Sequence, residues 1–440
     1  MNGKTKNILT VAGVCALVAA CVAALTLTVM ALSSSGESGE VSLYSLYTDS
    51  VAAGEYDGTF EQWLVDNGYT DATEWSSTEN SYSTAINSSL LSAVSITAYG
   101  YYTTTETYMG KSEEVTYAVT SSGSGVFIDV DRDEGDAYFL TNCHVIYDGA
   151  FTDSGYTYTP TGSLTYTAYL YGLEYDEYAV SFSVVGASVT NDVALCRVED
   201  SDVIRNSYAT AATVGDSDTV AVGDRCYLIG NALGEGIAAS SGVVSVQRED
   251  VEVTAADGET TVSVQAIRTD AAAYSGNSGG GLFNASGELI GLLFAGDSDG
   301  GGNLSDCLPI NTVMAVADSI YDNCDGTTQT TTLFDAGFTY SVAEVSQSYD
   351  GTDLTVEEQY AVDSVESGSA ADGAGMQEGD IILSMTGADG STVQASYSWS
   401  ISDFLWTVRA GDAFTVTVER DGVQKVLTFE ADADSFADVE

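Results

Sequence analysis

Gly276-Asn277-Ser278-Gly279-Gly280, in a chain whose only histidine is His144, decides the fold. These five residues fit the Gly-x-Ser-x-Gly turn that lifts a serine nucleophile above an α/β sheet. That fold places its histidine after the serine, and no histidine follows Ser278. The order acid, histidine, serine belongs to a parallel α/β pattern that this sequence lacks. What remains is histidine, aspartate and serine in chain order within a region of short strands.

Three segments share one logic. Thr141-Asn142-Cys143-His144-Val145 follows an apolar strand, Asn191-Asp192-Val193-Ala194-Leu195 opens another, and the glycine-rich turn precedes Leu289-Ile290-Gly291-Leu292-Leu293. Acyl transfer by a serine needs a base for the hydroxyl proton. It also needs an acid that orients the base, and amide groups for the developing oxyanion. His144 is the candidate base, Asp192 the orienting acid and Ser278 the nucleophile. The turn Gly276-Asn277-Ser278 is the candidate oxyanion hole, through the N–H groups of Gly276 and Ser278. Each segment alone is weak, since one aspartate among 65 acidic residues means little. Together, in this order, they fit a mostly β, two-barrel chymotrypsin-like arrangement.

The pattern along the chain agrees. From about Ser83 to Gly326 the sequence reads as short β-branched and aromatic runs separated by Gly, Asp, Ser and Asn. Gly125–Ile128, Tyr138–Thr141 and Cys226–Gly230 are examples, and Ile310–Tyr321 reads as a closing helix. Thr327–Thr332 reads as a linker, 333–432 as a mixed unit of strand and helix, and 433–440 as an acidic tail. Upstream, 33–82 is an acidic stalk rich in Ser, Gly and Tyr, with a short helix expected over Thr59–Gly68.

These motifs resemble the HtrA family, trypsin-like serine proteases followed by a PDZ domain. The matching runs are Ser122-Gly123-Ser124-Gly125-Val126, Leu140–Ile146, Asn191–Leu195, Ile229-Gly230-Asn231-Ala232-Leu233-Gly234, Ser241–Ser245 and Thr269-Asp270-Ala271-Ala272, ending in Gly276–Gly280. In the C-terminal unit, Tyr360–Ala371, Ala374–Leu383 and Gly411–Gly422 are similar to a PDZ core. The resemblance covers about residues 83–432. It implies a specificity pocket with Ala272 at its floor and Phe294-Ala295-Gly296 along one wall. With no acid at that floor, a small or medium aliphatic residue is expected before the scissile bond. It also implies a peptide groove formed by Phe338-Thr339-Tyr340-Ser341 and a helix over Ser402–Arg409, with Leu405 and Val408 facing inward. C-terminal peptides would add there as a strand. Unfolded or damaged envelope and secreted proteins are the implied substrates, and a homotrimer is a family expectation. No cofactor is implied.

Some positions depart from the family. Cys143 stands where asparagine or alanine is usual, and Ser275 and Gly281 stand where proline is usual. A turn without proline is expected to be mobile at rest. Two other readings share the motifs: a catalytically silent peptide-binding or chaperone module, and a dedicated processing protease.

Charge and the N-terminus bound the setting. The 440 residues carry 65 Asp and Glu against 12 Lys and Arg, a net charge of −53. Nucleic acid is excluded as a partner, because phosphate backbones need a basic stripe. A zinc site built on several histidines is excluded too. Lys4 and Lys6 precede an uncharged apolar run over residues 8–32, long enough to span a bilayer, and every acidic residue lies beyond it. The expectation is a cytoplasmic stub and single-pass anchor over 1–32, with the bulk of the chain outside the cytoplasm. Cleavage after Val29-Met30-Ala31 and acylation of Cys21 are the alternatives. A Cys307–Cys324 bridge is open to an exported chain. The acid-rich stretches 129–136 and 297–303 fit no EF-hand and read as solvated loops. No metal site is expected.

Overall fold

The computed structural model describes residues 50–51, 79–108, 111–296, 304–323, 331–349 and 354–439. Apart from 50–51, these belong to one compact unit, Ser77–Glu440. The apolar run 8–32, the expected helix 59–68, the loop 297–303 and Cys324 lie outside the described residues. Among the described residues, no helix is long and apolar enough to cross a membrane.

The unit opens with a helix, α1 (Glu79–Ser89), where the strand pattern had been expected to start. Its Tyr82 is buried, donates its hydroxyl to the Cys226 carbonyl, and packs edge-on to Tyr227. The boundary expected at residue 82 therefore cuts a helix anchored by packing to residues far along the chain.

Nine strands follow. They are β1 (Ala93–Tyr108), β2 (Lys111–Asp131), β3 (Asp136–Thr141), β4 (Phe151–Asp153), β5 (Tyr156–Pro160), β6 (Thr165–Leu170), β7 (Ala179–Ser181), β8 (Ser183–Ser188) and β9 (Val193–Val198). The order is β4-β5-β1-β2-β3-β9-β8, with β6 paired to β1 and β7. The stretch 129–136 spans the β2–β3 turn, where Asp131 accepts the Asp133 and Glu134 amides. Alternation decides the faces. Val94 and Ile96, Phe139, Ala168 and Leu170, and Ala194, Cys196 and Val198 fill the first barrel. Their neighbours Leu140, Val193 and Leu195 point the other way, into a core shared with the second barrel.

That barrel comprises β10 (Thr213–Val214), β11 (Arg225–Gly230), β12 (Ala238–Thr254), β13 (Thr261–Thr269), β14 (Gly281–Asn284), β15 (Glu288–Gly296) and β16 (Ser305–Pro309). The path β15-β14-β11-β12-β13-β16 closes because β15 also pairs with β16. Cys226 and Leu228 face its interior, while Tyr227 and Ile229 face the shared core. Cys307 is a free, fully buried thiol in this interior, so it forms no bridge. Two short helices connect elements: α2 (Cys143–Ile146) and α3 (Asp202–Arg205). The closing helix α4 (Ile310–Asn323) buries Ile310, Val313, Val316 and Ile320 against the shared core.

The C-terminal lobe contains β17 (Thr331–Phe334), β18 (Phe338–Tyr349), β19 (Leu354–Val365), β20 (Ile381–Thr386), β21 (Thr392–Gln394), β22 (Ala413–Arg420), β23 (Val423–Glu430) and β24 (Phe436–Val439). Helices α5 (Ala370–Ala374) and α6 (Ser398–Thr407) accompany them. The main sheet runs β18-β19-β20-β22-β23, with β21 on β20. Residues expected as linker and tail instead pair, β17 against β24, with Phe334 and Phe436 rings 5.5 Å apart. Non-local pairing overrides the acidic composition there.

Helix α6 starts and ends earlier than expected. Val408 lies just past its end, in extended backbone, buried in the lobe's core, and Leu405 is half-buried beside it. Trp406 turns the other way, into the core shared by the barrels. A buried cation fastens this contact. Arg248 of β12, 1% exposed, reaches Asp218 at 2.9 Å and Asp403 of α6 at 3.4 Å. Thr312 of α4 donates to Asp403 at 2.5 Å, and Arg409 pairs with Asp322 at 2.8 Å.

Candidate active site

The three candidate residues reach the junction of the barrels from different elements. Strand β3 ends at Thr141, and the single turn of α2 carries His144 back toward solvent. Asp192 ends the β8–β9 turn with φ +52, a left-handed conformation that aspartate tolerates better than most residues. Ser278 is half-buried in the turn before β14.

Asp192 grips His144 twice. Its Oδ1 accepts the His144 backbone N–H at 2.9 Å, and its Oδ2 lies 2.8 Å from Nδ1. The Asp192 carbonyl in turn accepts a bond of 2.9 Å from Nδ2 of the fully buried Asn142. Nδ1 is therefore the protonated nitrogen when the ring is neutral, which leaves Nε2 free to act as a base. Burial pulls the ring's pKa down. Attraction to Asp192 and its hydrogen bond outweigh that, so His144 sits above its ordinary value. The adjacent Cys143 thiol is buried and pushed far up by desolvation, so it is no rival nucleophile. No hydrogen bond joins His144 to Ser278 among the described residues. Catalytic bonds of this kind often tighten only when substrate is present.

The turn around Ser278 is held peptide by peptide. Leu233 N–H donates to the Ser275 carbonyl at 2.7 Å. This turns the amide of the same peptide, Gly276 N–H, the opposite way. Gly280 N–H donates to the Asn277 carbonyl at 2.8 Å, which does the same for Ser278 N–H. Asn277 N–H is occupied by the Tyr274 carbonyl at 3.0 Å, so Gly276 and Ser278 are the two amides left for an oxyanion. In place of proline, hydrogen bonds of the Leu233, Asn277 and Gly280 N–H groups hold the turn. Gly276 has φ +95, and a Cβ there would lie 2.4 Å from the Asn231 carbonyl oxygen; only glycine fits.

The residues expected around the specificity pocket lie in two segments of the second barrel. Ala272 lies in the segment entering the turn and accepts a bond from Ser240 Oγ at 2.7 Å. Strand β15 runs beside the turn, with Gly279 N–H donating to the Leu293 carbonyl at 2.8 Å. The Phe294 side chain is buried in the shared core, while Ala295 and Gly296 continue the strand opposite Asp306 and Ser305. In the C-terminal lobe, Phe338, Thr339, Tyr340 and Ser341 lie on β18. Among the described residues no strand pairs with its outer edge. Thr339 and Ser341 bond across to Ser364 and Asp363 of β19, and Phe338 and Tyr340 pack on the lobe's core. Sequence reasoning missed Asn142 and Ser124 as supports of the site. Both stood in the quoted motifs, but nothing local marks what a buried amide or hydroxyl will touch.

Residues 123–292 match the family described as the trypsin-like peptidase domain. The chain is 30% identical over 318 residues to "Serine protease Do-like HtrA" of Lactococcus lactis subsp. lactis (strain IL1403), covering 69% of each. It is 28% identical over 315 residues to "Serine protease Do-like HtrB" of Bacillus subtilis (strain 168), covering 69% of this chain and 60% of that relative's length. The solved structure titled "HtrA-type protease AlgW with tripeptide" aligns over 80% of this chain and 96% of its own, at 23% identity and a TM-score of 0.47.

Proposed function

The chain belongs to the HtrA family of serine proteases, and on that premise we propose that it is an endopeptidase working through His144, Asp192 and Ser278. Ser278 Oγ attacks the scissile carbonyl while His144 Nε2 takes its proton. Asp192 steadies the imidazolium, and Gly276 and Ser278 N–H groups receive the oxyanion. His144 then returns the proton to the leaving amine, and water releases the acyl group by the reverse roles. The single observation that carries this is the double grip of Asp192 on His144, which orients a base with its Nε2 free.

The substrates are unfolded or damaged proteins outside the cytoplasm, cut after small or medium aliphatic residues. The C-terminal lobe is a PDZ domain that takes C-terminal peptides along the β18 edge beside α6. The free edge and the turn at Gly337, with φ +73, support that role. Residues 8–32 tether the chain to the membrane, and the working form is a homotrimer. Casein degradation by wild type and Ser278→Ala tests the core of the reading: equal turnover would sink it. Peptide profiling that found cleavage chiefly after Arg or Lys would remove the specificity claim. Membrane fractionation and sedimentation test the tether and the trimer.

A further inference from the structure

Ser124 lies on β2 of the first barrel, 0% exposed, 154 residues before the nucleophile. Every hydrogen-bonding group it has is engaged. Its N–H donates to the Ser278 carbonyl at 2.7 Å. Its Oγ donates to the Gly276 carbonyl at 2.8 Å and accepts the Asn231 N–H at 2.7 Å. Its own carbonyl accepts from Thr141 Oγ1 at 2.7 Å. The direction of the hydroxyl proton is not arbitrary. Asn231 offers only a donor, so the single Ser124 proton must go to Gly276.

Those contacts bear on the turn at its most pliable points. Gly276 and Gly279 both have positive φ, and neither carries a side chain that would restrict rotation of the neighbouring peptides. The Gly276–Asn277 peptide lies between the two oxyanion amides. If it rotates, the Gly276 and Ser278 N–H groups no longer converge. Among the described residues of the second barrel, this peptide is tied only through the Asn277 N–H, which donates to the Tyr274 carbonyl. Its carbonyl is held from the other barrel, by Ser124 Oγ.

We propose that Ser124 is a positioning residue for catalysis: its hydroxyl, carried by the first barrel, orients the Gly276 peptide so that both oxyanion amides face the substrate. The same side chain brings the Asn231 loop and the nucleophile turn to one point, so the barrel that supplies His144 also sets the geometry around Ser278. The inference rests on the protease reading above.

The test compares wild type, Ser124→Ala and Ser124→Cys on a chromogenic peptide, with thermal midpoints measured alongside. In Ser124→Ala, kcat should fall by about 10- to 100-fold, less than outright loss of an oxyanion donor, with KM within about threefold. Affinity for a peptidyl boronate, whose tetrahedral adduct places an oxygen at the oxyanion position, should fall by the same factor as kcat/KM. The acid limb of the pH profile should stay in place, because Ser124 does not touch the His144–Asp192 pair. Ser124→Cys is close in volume and bonds weakly. It keeps the test alive if the alanine variant misfolds, and should lose at least about fivefold in kcat. A folded Ser124→Ala with kcat within twofold of wild type overturns the inference, as does a rate loss without weaker boronate binding. A Ser124→Cys variant with wild-type kcat overturns it too. A wild type that neither degrades casein nor takes up a fluorophosphonate overturns the protease reading and this inference with it.

Discussion

Replacing Asp403 by alanine should weaken the hold of the C-terminal lobe on the catalytic barrels. Arg248 would remain in a site where its side chain is 1% exposed, with Asp218 as its one remaining carboxylate. Thr312 would lose its acceptor as well. Removing one partner of a buried ion pair costs about 3–5 kcal/mol. The Asp218 carboxylate remains and is 38% exposed, which places the expected loss near the lower figure. At about 2–4 °C per kcal/mol for a body of this size, the thermal midpoint should drop by roughly 6–12 °C. Trp399 and Trp406 lie on α6, so tryptophan fluorescence should report the loss locally. The double variant Arg248→Met, Asp403→Leu removes both charges and should recover most of the loss, because packed apolar groups replace buried pairs well. A midpoint shift below about 1 °C in Asp403→Ala, or a double variant no more stable than the single, would refute the reasoning.

Two further outcomes follow from the charged groups. Asp192→Asn removes the attraction that holds the His144 pKa up and leaves the burial that pulls it down. The acid limb of kcat/KM should therefore move to lower pH, and kcat should fall by about 10⁴-fold, since the amide stabilises the wrong tautomer; an unmoved limb would contradict the assignment. In the C-terminal lobe, Asp380 is fully buried in a two-pronged pair with Arg420, at 2.5 and 2.6 Å. Burial raises its carboxyl pKa, but Arg420 and the Gln377 amide together hold it below the ordinary value. A lowered carboxyl stabilises the fold above its unfolded pKa, and that stability drains as pH falls through the folded value. Asp380→Asn should lower the neutral-pH midpoint and flatten its dependence below about pH 4; a midpoint curve parallel to wild type would count against the pair.

The site was more legible than the architecture around it. His144, Asp192 and Ser278 stood out because their chemistry needs those residue types in that order. The β-branched and aromatic runs at 138–141 and 226–230 also marked strands, which fold as β3 and β11. Tyr82 did not stand out. It sits in a polar stretch, and only Cys226 and Tyr227, far along the chain, explain why it is buried. Residues 436–439 looked like an acidic tail because their partner, β17, lies about a hundred residues earlier. Val408 was expected on the groove helix, yet the helix stops at Thr407 and Val408 enters the core in extended form.

By itself the sequence marked the candidate chemistry: one histidine, an aspartate after it, and a glycine-bracketed serine last, an order that fits a two-barrel arrangement. It also marked where strands run, and the period of two put alternate residues on opposite faces. The tertiary structure alone decided who orients whom. Asn142 on the Asp192 carbonyl, Ser124 on the Gly276 peptide and Arg248 on Asp403 are contacts between residues 50 to 155 positions apart. Their side chains look like ordinary polar residues until folding removes water and leaves each a single partner. A buried donor or acceptor must find one, and which one it finds depends on how the barrels and the lobe meet.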